Sequence, residues 1–556
     1  MKFNRINNIF TAIVLLVAVS FSSCIGDLDV KPIDPNLTTP DKVYQSEADL
    51  AMGLAKIYGG LALTGQVGPA DDGDIDDVDE GASNYWRTYW QIQEYSTDEA
   101  INGWGDAGVP ELSQNTWNAS NLMTRALYYR LIYQVTIANE FIRQAQEVAK
   151  ADWTNTPNYI AEARFLRALA YWHALDLFGN GVPFVTEADK VGAFLPSPAG
   201  QQFGSELFEY LENELLEISG EKESPYQLLE RGQALGGQAD RGAARMLLAK
   251  LYLNHSTYLT ENGTENGQYY SKGAAILEKV LSGPYKLIQD VDMESDAKFS
   301  GYQSLFLADN YKSDGEMIFQ INYQAEYTQT WGGSTFLVAA NILDNMVAKY
   351  FGVDGGWNGN RGLWNLYEKF EAGDLRAQAD SLFYTGGRIP GGDVEITDPA
   401  TGFGVGKYRN VMRNGDLSTN GGTSARVDVN IPVFRYADAI LMAAEFDLRT
   451  TGTVSGVHLD LINKIQSRAG MPTLNNAGDI NLEWILDERS RELYWEGHRR
   501  TDLIRFGKYT SGEAKYLWPY KGGVKDGAAL DSKFRFLPIP SSDLVANPNL
   551  TQNKGY

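Results

Sequence analysis

Apolar residues recur at helical spacing along most of the chain. Ser46-Glu47-Ala48-Asp49 has the form of a capping box, and Leu50, Leu54, Ile57, Tyr58 and Leu61 then fall on one helical face. The same period predicts a long amphipathic helix over about 122–149. It predicts a second over about 158–178, stopped by Gly179, a residue type that ends helices. Further helices are predicted at about 205–218, 241–254 (with Asp240 as N-cap), 270–281, 436–449, 457–468 and 482–497. Strand-like runs are few and short. Helix pairs joined by short turns, rich in Ala and Tyr, suggest tetratricopeptide-like units, although the full repeat signature is absent. The expected fold is mostly α, a tetratricopeptide-like helical-repeat scaffold.

Two stretches break this period. Residues 66–118 are acidic, aromatic and glycine-bearing, and read as irregular. Between about 300 and 430 the segments GGWNGNRG (355–362), GGRIPGGD (386–393) and NGDLSTNGG (414–422) punctuate the chain. They predict a lobe of long loops laid over the helical scaffold, and loops held by a rigid scaffold commonly carry function.

The N-terminus has its own pattern. Lys2 and Arg5 precede an apolar run from Ile9 to Phe21, and Ser22-Ser23 precede Cys24. This is the layout of a secretory signal peptide, too short for a membrane span of about 20 apolar residues. Cys24 is the only cysteine, and it stands where a lipoprotein signal is cleaved and acylated. The expected division is a signal peptide (1–23), then a polar, Pro-rich tether (24–41) running from a lipidated Cys24 to the folded body.

Composition narrows the chemistry. The chain has 556 residues, 43% of them hydrophobic, enough for a large core or several lobes. With one cysteine, no internal disulfide can form. The net charge of −23 repels phosphate backbones, which makes nucleic acid a poor partner. Four histidines (His173, His255, His458, His498) show no HExxH spacing, and no GxSxG or phosphate-loop motif is present. Glu488, Glu492 and Glu496 share a predicted helix face. They interleave with Arg489, Arg491, Arg499 and Arg500, so they read as an ion-pair network rather than as the paired carboxylates of a glycosidase. In the acidic run 71–80, Asp72, Asp74 and Asp76 alternate as in an EF-hand loop. The sixth position is Asp77 instead of Gly and the twelfth is Ser83 instead of Glu. The run therefore reads as a solvated loop, with a structural calcium ion as the alternative; no other cofactor is expected.

Aromatic residues are abundant, with 12 Trp and 31 Tyr. Trp117, Trp153, Trp172, Trp484 and Trp495 lie on or beside helical patterns and read as core. Trp104 and Trp357 lie in glycine-flanked loops (NGWGD, GGWNG) and Trp331 precedes Gly332-Gly333, so these three read as candidates for exposure.

Several segments together resemble a known family. They are SCIGDLDVKPIDP after the signal, AEARFLRALAYWHALDLFGNGVPF (161–184), DRGAARMLLAKLYLN (240–254) and FRYADAILMAAE (434–445). To these add DERSRELYWEGHRRTDLIRFGKY (487–509) and FLPIPSSDLVANPNLTQNKGY (536–556). The chain resembles the SusD/RagB family of outer-membrane lipoproteins from Bacteroidetes over nearly its whole length. DEGASNYWRT (79–88), STDEAINGW (96–104), WGGSTFLV (331–338) and YLWPYKGG (516–523) are similar to the starch-binding members. The resemblance implies an N-terminal region of helical repeats (42–290) and a C-terminal region (291–556) with the loop-rich lobe at 300–430 and helices at 431–510. It implies four tetratricopeptide-like helix pairs beneath a glycan-binding lobe, no enzymatic activity, and a partner, a TonB-dependent outer-membrane transporter of the SusC type. The location implied is the cell surface, through the lipid at Cys24.

The resemblance also implies a site. Starch-binding members hold a curved α-glucan on an aromatic arc flanked by polar groups. The matching positions are Trp104, Trp331 and Trp357, with Arg87 and Asp79 as polar contacts. Asn102 stands where those members have a further tryptophan, and it is expected among the glycan contacts. The stretch Gly105-Asp106-Ala107-Gly108 is one residue shorter, which leaves Asp106 as the nearest substitute for an asparagine contact. A tryptophan face stacks on the C–H face of a pyranose, and each such contact is worth about 0.5–1.5 kcal/mol beyond area burial. The expected cargo is therefore a starch-like α-glucan. A β-glucan such as laminarin, a fructan or a peptide is the alternative, and a surface glycosidase the remote one.

Overall fold

The computed structural model describes residues 40–556 apart from 66–72, 190–191, 193, 344–345, 380, 389, 419–425 and 511–515. Cys24, the signal and nearly all of the tether lie outside the described residues, as do Asp71 and Asp72 of the acidic run. No helix among the described residues is long and apolar enough to cross a membrane.

Helix α1 (Glu47–Ala62) starts on the predicted capping box. The Asp49 N–H donates to Ser46 Oγ at 3.3 Å, and the Ser46 N–H donates to the Asp49 carboxylate at 2.8 Å. Leu50, Leu54, Ile57 and Leu61 form its buried stripe. Helix α2 (Tyr85–Tyr95) follows, then α3 (Leu122–Val148), α4 (Thr156–Phe178), α5 (Glu206–Ile218), α6 (Arg241–Leu253) and α7 (Gly267–Leu281). Asn121 caps α3 and Asp240 caps α6, each accepting from a backbone N–H three residues on, at 3.0 and 2.9 Å. Each helix from α3 to α7 packs on the next, as stacked helix pairs do. The chain then leaves the stack for about 150 residues, which include the short helix α8 (Gly333–Ala339). It returns with α9 (Tyr436–Thr451), which packs on α7, and with α10 (Gly456–Arg468) and α11 (Leu482–Leu493), which both pack on α9; α12 (Arg499–Arg505) packs on α2. The mostly helical fold expected from the sequence is observed.

Among the described residues the strands form three two-stranded antiparallel pairs: β1 (Ala100–Asn102) with β3 (Asn360–Gly362), β2 (Met317–Ile321) with β6 (Ile431–Arg435), and β4 (Phe383–Tyr384) with β5 (Gly404–Val405). The β1–β3 pair joins the two stretches that break the helical period.

Three expectations change. Residues 66–118 are not wholly irregular, because they contain α2, β1 and a short helix at Val109–Gln114. All residues of α2 are buried, so no polar face exists to reveal a helical period. Helix α4 is likewise buried all round from Ile160 to Phe178. Its polar side chains are paired inside: Arg164 Nε with Glu214 at 3.0 Å, Arg167 Nη2 with Glu214 at 2.8 Å, and His173 Nδ1 with the Tyr85 hydroxyl at 2.7 Å. Finally, α11 ends at Leu493, and Trp495 (φ 66°) and Gly497 (φ 74°) turn the chain. Glu496 thus leaves the helix face of Glu488 and Glu492.

The ion-pair network exists, but most of its partners come from far away in the chain. Glu492 meets Arg468 at 2.6 Å, Arg435 at 3.1 Å and Arg376 at 3.2 Å. Glu496 meets Arg435 at 2.7 Å and Lys407 at 2.8 Å, while Glu316 bridges Arg435 and Arg468 at 2.7 and 2.6 Å. Of the neighbouring arginines only Arg491 pairs with this set, with Glu488 at 2.7 Å. Arg489 turns to Asp438 and Asp502, Arg499 to Asp98, and Arg500 to the carbonyls of Phe534 and Arg535. Glu316, Arg376 and Lys407 belong to the loop-rich stretch, so the network fixes that stretch to the helices.

Candidate functional site

The three loop tryptophans come together in one row. The Trp357 ring lies in the middle, its centroid 6.4 Å from that of Trp104 and 6.0 Å from that of Trp331. Successive planes tilt by 44° and 64°, so the row turns instead of forming a flat platform. All three side chains are half-buried. Of the tryptophans read as core, Trp117, Trp172 and Trp495 are buried, whereas Trp153 and Trp484 are half-buried outside this row.

Backbone bonds hold the row. Trp357, Asn358 and Gly359 donate their N–H groups to the carbonyls of Ala339, Ile342 and Ala340 at 2.8, 3.0 and 3.0 Å. They thereby satisfy acceptors that the end of α8 leaves open. Asn358 sits at φ 54°, a left-handed conformation that asparagine tolerates. The β1–β3 register continues into a bond from the Gly103 N–H to the Gly359 carbonyl at 3.0 Å, which delivers Trp104 beside Trp357. The Trp104 indole N–H then donates to the Trp357 carbonyl at 3.3 Å. Trp331 is anchored by its own N–H, which donates to Glu80 at 2.9 Å. Glu80 also accepts from the Thr64 hydroxyl.

Gly359 makes room for Trp104, since a Cβ there would lie 2.3 Å from Cε2 of the indole. Gly359→Ala is expected to turn the Trp104 ring out of the row. A crystal structure of the variant checks this, and an unmoved ring would refute it.

Arg87 lies beneath the row and is only 8% exposed. Its guanidinium is 5.6 Å from the Trp104 ring centroid and 4.7 Å from that of Phe336, and it donates to the Trp331 carbonyl at 3.3 Å. Burial pushes its pKa down, while Tyr95, Asp79 and Asp106 pull it back up. Asp79 and Asp106 are exposed at the edge of this field; one Asp79 oxygen accepts from the Ala82 N–H at 3.2 Å. Asn102 is placed differently from the sequence expectation. It is 0% exposed, so it stands behind the row instead of on its surface. It accepts from the Trp104 N–H at 2.7 Å and donates to the Tyr95 hydroxyl and to Asn360 at 2.9 and 2.8 Å. Two further participants carried no sequence signal: Phe336, the edge-on neighbour of Trp104, and Arg426, whose guanidinium is 4.6 Å from the Trp331 ring centroid. Among the described residues no group of three or more His, Cys, Asp or Glu is placed to hold a metal ion, and Asp74 is paired with Arg130 at 2.5 Å.

A family model described as the SusD family matches residues 384–556. Over the full length of both chains, 32% of residues are identical to those of the starch-binding protein SusD of Bacteroides thetaiotaomicron. The chain belongs to the SusD family. Solved structures of SusD proteins share its fold. A SusD superfamily protein from Parabacteroides distasonis superposes with a TM-score of 0.69 at 22% identity, covering 92% of this chain and 100% of that one. Surface glycan-binding protein A from Bacteroides thetaiotaomicron, in complex with laminarihexaose, superposes with a TM-score of 0.65 at 20% identity, covering 91% and 99%. The SusD fold thus accounts for the helical stack, and the tryptophan row is carried by β1, β3 and the two ends of α8.

Proposed function

We propose that this SusD-family chain is a non-catalytic surface lipoprotein, anchored through Cys24. It captures starch-like α-glucan on Trp104, Trp331 and Trp357 and passes it to a TonB-dependent transporter of the SusC type. The observation that carries the reading is the turning row of three half-open indoles. A curved glucan can lay successive sugar faces on tilted rings, whereas a straight chain meets only part of such a row. Arg87 fixes two of the rings, and the exposed carboxylates of Asp79 and Asp106 accept from sugar hydroxyls. Full-length similarity to a starch-binding protein supports the same cargo. The carboxylates that a glycosidase would recruit, Glu488, Glu492 and Glu496, are buried and ion-paired, which supports binding over hydrolysis.

Three stacks and a few hydrogen bonds, less the cost of association, leave about −4 to −6 kcal/mol, or roughly millimolar to tens of micromolar affinity. Such binding allows fast release, and a lipid tether offsets it by raising the effective concentration beside the transporter.

A β-glucan is the second reading, favoured by two structural neighbours: one is a laminarin binding SusD-like protein and the other was solved with laminarihexaose. Affinity electrophoresis in gels containing amylopectin, pullulan or laminarin separates the two. Retardation by amylopectin and pullulan, lost in the Trp104→Ala/Trp331→Ala/Trp357→Ala variant, is expected. Retardation by laminarin alone moves the cargo to β-glucan, and retardation by none of them sinks the glucan reading.

A further inference from the structure

At the end of α1 lies an open cavity of about 570 Å³, within the usual size range of small-ligand pockets. Its walls include Gly59 and Leu63 from the end of α1, with Asp74, Tyr133, Tyr327 and Gln329. We propose that this cavity is a second sugar-binding subsite, which takes further glucose units of a chain already held on the tryptophan row. The inference rests on the glucan reading above and extends it to a longer footprint.

Three features carry it. The cavity lies close to the row in the chain, since its lining residue Gln329 is two residues before Trp331. Glu80 also holds the Trp331 N–H and the hydroxyl of Thr64, which stands between the lining residues Leu63 and Gly65. The aromatic groups are preorganised. Tyr327 is 68% exposed yet sits on a fixed turn, in which its N–H and that of Thr328 both donate to the Gln324 carbonyl at 2.8 Å. The Arg130 guanidinium lies 5.6 Å from the Tyr133 ring centroid and is paired with Asp74, and Arg130 Nε donates to the Ser83 carbonyl at 2.8 Å, two residues from Gly81 against Trp331. An aromatic face held in place before binding loses little freedom on stacking. The polar groups suit a neutral sugar, since Asp74 accepts from hydroxyls and the Gln329 amide both donates and accepts. The floor is bare at Gly59, where an added Cβ would meet nothing within 4 Å.

That bare floor supplies the test. Gly59→Leu fills the cavity from within a helix, where leucine is favoured over glycine, and touches no residue of the row. Calorimetric titration with maltotriose, short enough to rest on the row, and with a long maltodextrin compares the wild-type chain with Gly59→Leu and Tyr327→Ala. Each variant is expected to lose about three- to tenfold in affinity for maltodextrin, the loss of one stacked unit, and nothing for maltotriose. Unchanged maltodextrin affinity in both variants overturns the subsite and leaves the row standing. An equal loss for maltotriose also overturns it, by placing the effect in the row. Failure of the wild-type chain to bind either glucan overturns the subsite together with the reading on which it rests.

Discussion

Glu492→Gln should be among the most destabilising single changes in this protein, costing about 3–5 kcal/mol. The carboxylate is wholly buried and meets Arg376, Arg435 and Arg468 at 3.2, 3.1 and 2.6 Å. Replacing it leaves three buried guanidinium groups facing a neutral amide. Denaturant unfolding checks the loss, with Glu261→Gln as control. The Glu261–Lys554 pair is on the surface, and its removal should change stability by less than about 1 kcal/mol. The same carboxylate sets a pH dependence. Burial opposes its ionisation, but Arg468, Arg435 and Arg376 outweigh burial and hold its pKa at about 2, below the ordinary 4.5. Its stabilisation is therefore complete above pH 4.5 and fades as the pH falls through 2, and the Gln variant should show a flatter acid limb than the wild type. Equal stability of the two proteins at neutral pH would contradict this account of how the loops are fixed to the helices.

The largest effect on binding is expected from Trp357→Ala. This ring is the middle one, 6.4 and 6.0 Å from its neighbours, so its removal splits the row into two isolated stacks. A loss of at least about tenfold in glucan affinity is expected, as for other central aromatic anchors. Trp484→Ala removes a half-buried tryptophan outside the row and should leave the affinity unchanged. Calorimetric titration of both variants with maltodextrin makes the comparison, and equal losses would mean that the row is not the binding surface.

The parts of this fold that were legible in the sequence are those with one wet face or with a chemically marked end. Ser46 with Asp49 marked the start of α1, Asp240 that of α6 and Gly179 the end of α4, because caps are local chemistry. Helix α2 was hidden because it has no wet face. The true partners of Glu492 were hidden because Arg376 arrives from the loop-rich stretch and Arg435 from β6, and pairing across such distances leaves no trace in spacing. At the site, glycine neighbours singled out Trp104, Trp331 and Trp357, and the structure brings these three together, half-buried. Asn102 was misplaced because its role depends on β1 pairing with β3, which turns its side chain inward to hold the Trp104 backbone. Phe336 and Arg426 were missed for a related reason: each earns its place only once α8 and the loop before β6 fold against the row.

The central claim is that a turning row of tryptophans binds a curved α-glucan. Calorimetric titration of soluble maltodextrin into the wild-type chain and into the Trp104→Ala/Trp331→Ala/Trp357→Ala variant tests it most directly. Binding to the wild type at roughly millimolar to tens of micromolar strength, with no measurable heat from the variant, is the predicted result. A variant that binds maltodextrin as well as the wild type, or a wild type that takes laminarin oligosaccharides and ignores maltodextrin, would contradict it.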